Sequence, residues 1–342
     1  MIQETSCADR FIDLLTTHVN NIDEITRIVN LAFHNLISRH YIENRINHTL
    51  PKLRERLAEL RKIPIIEQRS IEWFNARKNI ITASDFAQAL GEGKFGTQKE
   101  LYQKKCGYEM VNFDPYIAPL KWGCMFEPVA SEIYARRNRV KIHEFGLLHH
   151  PRIPYFGASP DGITDHGVML EIKCPYKRKI TGEVPQQYYM QVQGQQDVCD
   201  LDECDYLECG FVTENDNEFW STFDDYPFEQ GVIIELPKDT ADVPVYKYSA
   251  MGLTKDALRT WMLSNMHNSK VHAWRLKQYN VVRIYRDPMY LAEKFAQLES
   301  VWMNVERYRA DKGAYDRETA PTTKRGATRR ATTNDDSFSF RV

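Results

Sequence analysis

The spacing of apolar residues changes near residue 140, and this change restricts the folds that are open to the chain. From about residue 8 to residue 62, and again to residue 138, apolar side chains recur at helical spacing. Beyond residue 140, segments such as VMLEIKC (168–174) and EFWSTF (218–223) have the period of two that is typical of strands. A helical segment at 185–199 interrupts these strands. This order predicts an α/β or α+β fold with a mixed central sheet flanked by helices.

Breaks in composition divide the chain into a helical N-terminal region, a main domain and a tail. The N-terminal region covers residues 1–64. The main domain covers residues 65–312, and a segment with several prolines at about residues 224–278 has the character of an insertion within it. Residues 313–342 are polar and carry a short basic cluster, a composition that predicts a disordered tail.

The overall composition excludes several classes of protein. Hydrophobic residues make up 42% and charged residues 27% of the 342 residues, which is typical of a soluble globular protein. The sequence has neither a run of about 18 apolar residues nor a basic segment followed by an apolar one, so we expect no membrane span and no secretory signal. The net charge of −2 provides no overall attraction to nucleic acid, so contact with DNA would depend on local basic patches.

The cysteines and a pair of histidines favour structural roles. Seven cysteines, an odd number in a chain of this size, indicate reduced thiols in an intracellular compartment. Cys199, Cys204 and Cys209 lack CxxC spacing, so we expect buried thiols rather than ligands of an iron–sulfur cluster. We expect His149 and His150, which precede a proline, to be exposed to solvent rather than to bind a metal.

Three charged residues lie in a predicted hairpin, FGASPDGITDHGVMLEIKCP (156–175). Asp161 follows one strand, whereas Glu171 and Lys173 are two residues apart on the next and share one of its faces. The hairpin can therefore bring the two carboxylates together. Adjacent carboxylates repel unless a cation lies between them, and hard oxygen ligands suit Mg²⁺ or Mn²⁺. A metal beside a lysine meets the needs of phosphodiester hydrolysis, although an exposed hairpin can carry the same pattern for no chemical reason.

Two further segments favour the metal site. Glu127 is predicted to lie on the inward face of a helix that carries Phe126 and Ala130, where a carboxylate needs a reason to be. The helical segment at 185–199 is rich in glutamine, and Tyr188 and Gln191 are three residues apart on one of its faces.

Five motifs then occur in order along the chain. They are WFNARKNIITASDF (73–86), WGCMFEP (122–128), ASPDG (158–162), LEIKCP (170–175) and YYMQVQ (188–193). Together they resemble the phage-lambda-type exonuclease family, also called YqaJ-like viral recombinases, of the PD-(D/E)xK nuclease superfamily. The resemblance covers roughly residues 67–223 and 280–312, and it implies a restriction-endonuclease-like core.

The resemblance implies a catalytic role for Glu127 and for each matched position of the hairpin. Asp161 and Glu171 would hold the catalytic Mg²⁺, for which Mn²⁺ would substitute, with help from the carbonyl of Ile172. Glu127 would complete the acidic cluster, toward a second metal or its waters. Lys173 would position or activate the attacking water.

The resemblance also implies roles outside the hairpin. Gln191 would orient Lys173 or the water, and Arg77 would grip the 5′-phosphate of a DNA end, since arginine can bond a phosphate through two nitrogens. The positions implied to contact DNA are Arg77, Ser84, Ser159, Tyr188 and Trp73. For Trp73, packing within the domain is the alternative to stacking on DNA.

The activity implied by the resemblance is 5′→3′ digestion of double-stranded DNA from an end, which leaves a 3′ single strand for recombination or repair. A single-strand annealing protein is the expected partner, and a homo-oligomeric ring around DNA is one possible assembly. We expect the protein in the cytoplasm or nucleus of a virus-infected cell, or in the bacterial cytoplasm for a phage.

Two other functions stay open at this point. One is a flap or branch endonuclease of the same fold, since the segment at 224–278 could block the path of a DNA end. The other is a DNA-binding scaffold without catalysis, against which the complete set of charged residues argues.

Overall fold

The computed structural model describes residues 2–94, 96–108, 114–237 and 243–320. The predicted tail from residue 321 onward lies outside the described residues. Within these ranges, no helix is long and apolar enough to cross a membrane.

The N-terminal region is helical, as its apolar spacing predicts. Its helices are α1 (Ile2–Thr16), α2 (Ile22–Ala32), α3 (Arg39–Asn44) and α4 (Leu50–Leu60), with one π-helical turn at Arg45–Thr49. The side chain of Asn21 accepts hydrogen bonds from the first turn of α2, and Ser38 does the same for α3. Ile12, Ile25 and Val29 form a small buried core of their own with other apolar residues of these helices.

The rest of the described chain alternates helices with strands. The later helices are α5 (Ile71–Lys78), α6 (Phe86–Ala89), α7 (Gln98–Cys106), α8 (Ala118–Asn138), α9 (Gln186–Cys199), α10 (Asp216–Ser221), α11 (Lys255–Asn265), α12 (Tyr290–Ala310) and α13 (Lys312–Glu318). The strands are β1 (Ile81–Thr82), β2 (Ile142–His143), β3 (Leu148–His149), β4 (Phe156–Ala158), β5 (Gly162–Thr164), β6 (Met169–Lys173), β7 (Glu203–Glu214), β8 (Gln230–Glu235), β9 (Tyr246–Tyr248) and β10 (Lys270–Tyr285). Helix α13 shows that the first residues of the predicted tail are ordered.

The larger sheet has the strand order β2-β5-β6-β7-β10-β8-β9, and a smaller one has the order β1-β4-β3. In the larger sheet β6 and β7 are parallel, and β5 and β10 run antiparallel to them. The sheet is therefore mixed, with helices packed against it. This is the predicted fold class, and the prediction is confirmed.

Strand β6 separates two apolar clusters. Leu170 and Ile172 belong to the cluster on the side of α8, whereas Met169 belongs to the cluster that includes residues of α9. Because side chains alternate along a strand, Glu171 and Lys173 share the face of Met169. The two charged side chains therefore point toward α9 and away from α8.

The segment at 224–278 is part of the main sheet rather than a separate appendage. It supplies β8, β9 and the first part of β10, and β10 pairs with both β7 and β8. Leu258 of α11 packs with Phe219 and Val232 in a cluster that covers this end of the sheet.

One predicted strand is a helix. The segment EFWSTF (218–223) alternates like a strand, but most of it lies in α10 and the turn that follows. Asn215 caps this helix by accepting a hydrogen bond from the backbone of Glu218 at 3.0 Å. Phe219 and Trp220 are both buried against Phe223, so the aromatic residues pack without strand geometry.

The prediction for one histidine is also wrong. His149 is exposed, but His150 is buried, and its Nε2 lies 2.8 Å from Oδ2 of Asp197. Its Nδ1 accepts the backbone N–H of Ile153 at 2.9 Å. A carboxylate on α9 and a tight turn thus satisfy both ring nitrogens away from solvent.

Three cysteines are buried, as predicted. Cys199 ends helix α9, and Cys204 and Cys209 lie on strand β7. Cys204 lies in the apolar cluster on the α9 side of the sheet, and Cys209 lies in the cluster on the α8 side.

A buried ionic cluster attaches the N-terminal helices to the sheet. Arg45 lies 2.6 Å from Asp13 of α1 and 2.8 Å from Glu203 of β7. Arg283 of β10 lies 2.9 Å from Asp13 and 2.8 Å from Asp205. Burial alone would raise the pKa of Asp13, but the two guanidinium groups lower it below its usual value. The two guanidinium groups therefore favour the charged form of Asp13 inside the protein.

We expect Arg45→Ala to lower the free energy of unfolding by about 3 to 5 kcal/mol, because it removes one of the two cations that pair with the buried carboxylates. Arg39→Ala is the matched control, since Arg39 forms an exposed ion pair with Glu43. Denaturant unfolding of both variants tests this. Equal stabilities for the two variants would contradict a fastening role for the cluster.

Candidate functional site

The hairpin of β5 and β6 brings Asp161 beside the strand that carries Glu171 and Lys173. Asp161 precedes β5, and β5 pairs with β6 so that Gly162 lies opposite Leu170. Oδ2 of Asp161 accepts the backbone N–H of Ile172 at 2.7 Å. This bond fixes the carboxylate at the edge of the charged face.

Glu171 has no solvent exposure and is surrounded by donors. Nζ of Lys173 donates to its Oε1, and Nε2 of Gln191 donates to the same oxygen at 3.2 Å. Nε2 of Gln195 donates to Oε2 at 2.9 Å. The structure thus brings together Glu171, Lys173 and Gln191, which the sequence singles out.

Sequence reasoning missed Gln195. It lies one helical turn beyond Gln191 on α9, and residues four apart share a helix face. That spacing within the glutamine-rich helix could have identified it.

Lys173 lies between Glu171 and an aromatic ring. Its Nζ is 4.7 Å from the ring centroid of Tyr188, within the range of a cation–π contact. Tyr188 is buried, and it stacks on Tyr206 of β7 at a centroid distance of 5.9 Å. The ring of Tyr188 thus packs against the ammonium of Lys173. A contact between Tyr188 and DNA stays a prediction.

Glu127 does not lie on the buried stripe of α8. Its side chain is 37% exposed, whereas the adjacent Phe126 is fully buried. The expectation of an inward-facing carboxylate is therefore wrong, because the buried stripe passes through Phe126 and Ala130 and leaves Glu127 at its margin. There its Oε2 lies 3.4 Å from Nη2 of Arg69.

Two further groups share the surroundings of Glu127. Burial opposes the charge of Arg69, but Glu127 and Asp161 raise the pKa of its guanidinium. Burial and the negative charge of Glu127 raise the pKa of Tyr248, which lies on β9. The segment at 224–278 thus contributes a side chain near the acidic residues.

Four residues predicted to contact DNA form two linked pairs. Nε1 of Trp73 donates to Oγ of Ser159 at 3.0 Å, and Ser159 lies two residues before Asp161. Nη2 of Arg77 donates to Oγ of Ser84 at 3.0 Å. The Arg77 guanidinium also lies 4.2 Å from the ring centroid of Trp73, which connects the two pairs.

The turn that holds Ser84 is built on Asp85. Its carboxylate forms a capping box with Thr82. It also lies 2.7 Å from Nζ of the buried Lys105. Burial would raise the pKa of Asp85, but Lys104, Lys105 and Arg77 hold it well below its usual value.

Residues 72–202 match the family model of the YqaJ-like viral recombinase domain. This segment contains every predicted site residue, from Trp73 to Gln191, and also Gln195. The resemblance of the motifs to this family is confirmed.

Individual proteins resemble this chain beyond the YqaJ-like segment. An uncharacterized protein of Acanthamoeba polyphaga mimivirus is 29% identical over 319 residues, which cover 77% of this chain and 56% of that protein. The chain thus spans about half the length of this curated relative. Among solved structures, an alkaline exonuclease from Laribacter hongkongensis is 22% identical, with a TM-score of 0.46. The match covers 73% of this chain and 100% of that exonuclease's chain. A phage-related exonuclease from Haemophilus somnus 129PT is 12% identical, with a TM-score of 0.41, and covers 70% of this chain and 99% of its own.

The donor groups of the YqaJ-like segment suit a hard cation. The carboxylates of Asp161 and Glu171 and the carbonyl of Ile172 supply the oxygen ligands that Mg²⁺ prefers. In this arrangement, however, protein donors already engage Oδ2 of Asp161 and both carboxylate oxygens of Glu171. In the described part of the chain, no three histidine, cysteine, aspartate or glutamate side chains converge as a ready-made metal cage. The residues therefore fit Mg²⁺ by their chemistry, while Lys173, two glutamine amides and a backbone N–H hold the carboxylates.

We expect Asp85→Asn to destabilise the protein by about 3 to 5 kcal/mol at pH 7, because it leaves the buried Lys105 without its counterion. The lowered pKa of Asp85 means that this contribution is complete above about pH 4 and declines at lower pH by roughly 1.4 kcal/mol per pH unit. Denaturant unfolding of both proteins at pH 7 and pH 3 measures it. Glu92→Gln, which alters an exposed carboxylate, serves as the control. A difference between wild type and Asp85→Asn that does not shrink toward pH 3 would contradict the assignment.

Proposed function

We propose that the chain is a metal-dependent nuclease that digests one strand of duplex DNA from a 5′ end and leaves a 3′ single strand for recombination. The observation that carries the proposal is the position of Asp161 against the strand that holds Glu171 and Lys173. The match to the viral recombinase domain supports the same class of function.

Asp161, Glu171 and the carbonyl of Ile172 are the groups that would hold Mg²⁺, or Mn²⁺ in its place, with Glu127 at the margin. Bound there, the metal would supply positive charge to the phosphoryl group and lower the pKa of a bound water. Glu171 contributes a second effect, because its buried charge fixes the ammonium of Lys173.

Lys173 is suited to position the attacking water and to offset negative charge on the phosphate. The Tyr188 ring and the Glu171 carboxylate restrict where its ammonium can lie. Gln191 and Gln195 hold one carboxylate oxygen each, so they set the orientation of Glu171 and, through it, of Lys173. An ordered pair of this kind loses little freedom when substrate arrives.

The group formed by Arg77, Thr82 and Ser84 is suited to bind the 5′-phosphate of a DNA end. Arg77 is mostly buried and donates to both hydroxyl groups, at 3.3 Å for Thr82 and 3.0 Å for Ser84. A phosphate would accept the bonds that these hydroxyls now accept, and charge-assisted bonds favour that exchange. The bond from Trp73 to Ser159 links this group to the turn of Asp161.

The substrate is double-stranded DNA with a 5′-phosphate, and a single-strand annealing protein would receive the product strand. A homo-oligomeric ring around DNA is compatible with this function.

We expect Asp161→Asn to reduce metal-dependent cleavage of linear duplex DNA by about 10²-fold or more, because one charged group of the site is lost. Asp165→Asn is the matched control, since Asp165 is exposed and lies in the same hairpin. The assay uses linear and closed circular DNA with added Mg²⁺. Wild-type rates in Asp161→Asn would contradict the proposed reaction.

Cleavage of the closed circles would instead favour the flap or branch endonuclease. The position of β8 and β9 at one end of the main sheet, with Tyr248 near Glu127, is the feature that keeps this alternative under test. No cleavage of any substrate would favour the scaffold.

We expect Arg77→Ala to lose the preference for 5′-phosphorylated ends, by about tenfold or more, because a charge-assisted contact disappears. Lys78→Ala, on the exposed side of the same helix, should keep the preference. Competition between phosphorylated and unphosphorylated duplexes measures it, with thermal unfolding as a check on folding. An unchanged preference in Arg77→Ala would mean that another group binds the DNA end.

A further inference from the structure

Arg69 occupies a turn that aims it at the acidic residues. Its φ of +69° lies in the left-handed region, which residues with a Cβ seldom adopt. Nε2 of the preceding Gln68 donates to the carbonyls of Phe145 at 2.7 Å and of Pro160 at 3.2 Å. Because Pro160 is the residue before Asp161, these bonds anchor the turn directly beside the hairpin of the site.

The guanidinium of Arg69 extends from this turn to the acidic residues. Its Nη2 lies 3.4 Å from Oε2 of Glu127, and the charge of Asp161 also stabilises its cationic form. The side chain is 47% exposed, so it lies at the open edge of the site rather than in the core.

We infer that Arg69 is a resident countercation of this site, which weakens the binding of a divalent metal. In the metal-free protein the guanidinium offsets the charges of Glu127 and Asp161. A divalent cation beside the same carboxylates would be repelled by it and would have to displace it. The inference rests on the proposed metal site. Arg69 acts there through the carboxylates that would hold the metal, and it raises the metal concentration needed to load the enzyme.

An ordinary structural ion pair between the turn and α8 is the competing explanation. Such a pair would affect the stability of the fold and leave the affinity for metal unchanged. Metal affinity therefore separates the two explanations.

The experiment measures Mn²⁺ binding to the metal-stripped full chain, by the electron paramagnetic resonance signal of unbound Mn²⁺, without DNA. Arg69→Asn removes the charge while keeping a residue that tolerates the left-handed backbone. We expect it to lower the Kd for Mn²⁺ by about 3- to 10-fold, the size of a half-exposed charge interaction. Arg69→Lys, which keeps the charge, should stay near the wild-type Kd, and Arg27→Asn controls for the loss of an exposed arginine elsewhere.

A double-mutant cycle ties the effect to Glu127. In the Glu127→Gln background, replacement of Arg69 by Asn should change the Kd much less than it does in the wild type. An unchanged or weaker affinity in Arg69→Asn would overturn the inference, as would an equal gain with and without Glu127. Binding of Mn²⁺ to neither wild type nor Arg69→Asn would also overturn it. Tighter binding in Arg69→Asn together with an absence of DNA cleavage would support the inference while removing the proposed nuclease activity.

Discussion

The buried carboxylate of Glu171 is the constraint on which the rest of the site depends. A charge without solvent exposure costs several kcal/mol unless the protein supplies partners. Here the partners come from two elements, Lys173 on the same strand and Gln191 and Gln195 on the helix that follows. Helix α9 also makes the crossover that parallel strands β6 and β7 require. The connection that the fold needs is thus the connection that satisfies the carboxylate.

Strand β7 extends this dependence to the N-terminal helices. Tyr206 lies opposite Glu171 in the sheet and stacks on Tyr188, whereas the neighbouring Asp205 points to the other face and bonds Arg283. One strand therefore supports Lys173 through an aromatic pair and holds the N-terminal helices through an ionic cluster. A region outside the family resemblance is in this way fastened to the sheet that carries the site.

The sequence predicts the local features of this fold better than its long-range ones. The hairpin follows from its period of two and its turn residues, because both depend on neighbours in the chain. The partner of His150 lies 47 residues away, and the ions around Arg283 come from segments up to 270 residues apart. No local pattern indicates such contacts. The helix of Phe219 does not follow from the local pattern for a related reason. Aromatic residues that alternate like a strand are buried here by packing against one another.

The two acidic parts of the site differ in how readily they can change. Glu171 has no solvent exposure and bonds Lys173, Gln191 and Gln195, so these four groups would have to move together. Moving Glu171 alone would leave a buried charge without partners. The pair of Glu127 and Arg69 is partly solvated, and exposed ion pairs contribute little to stability. A charged ligand that enters this site would therefore alter the contacts of Arg69 before those of Lys173. Tyr248 of β9 lies near Glu127. A change in the contacts of Glu127 and Arg69 would therefore first affect the strands at this end of the sheet.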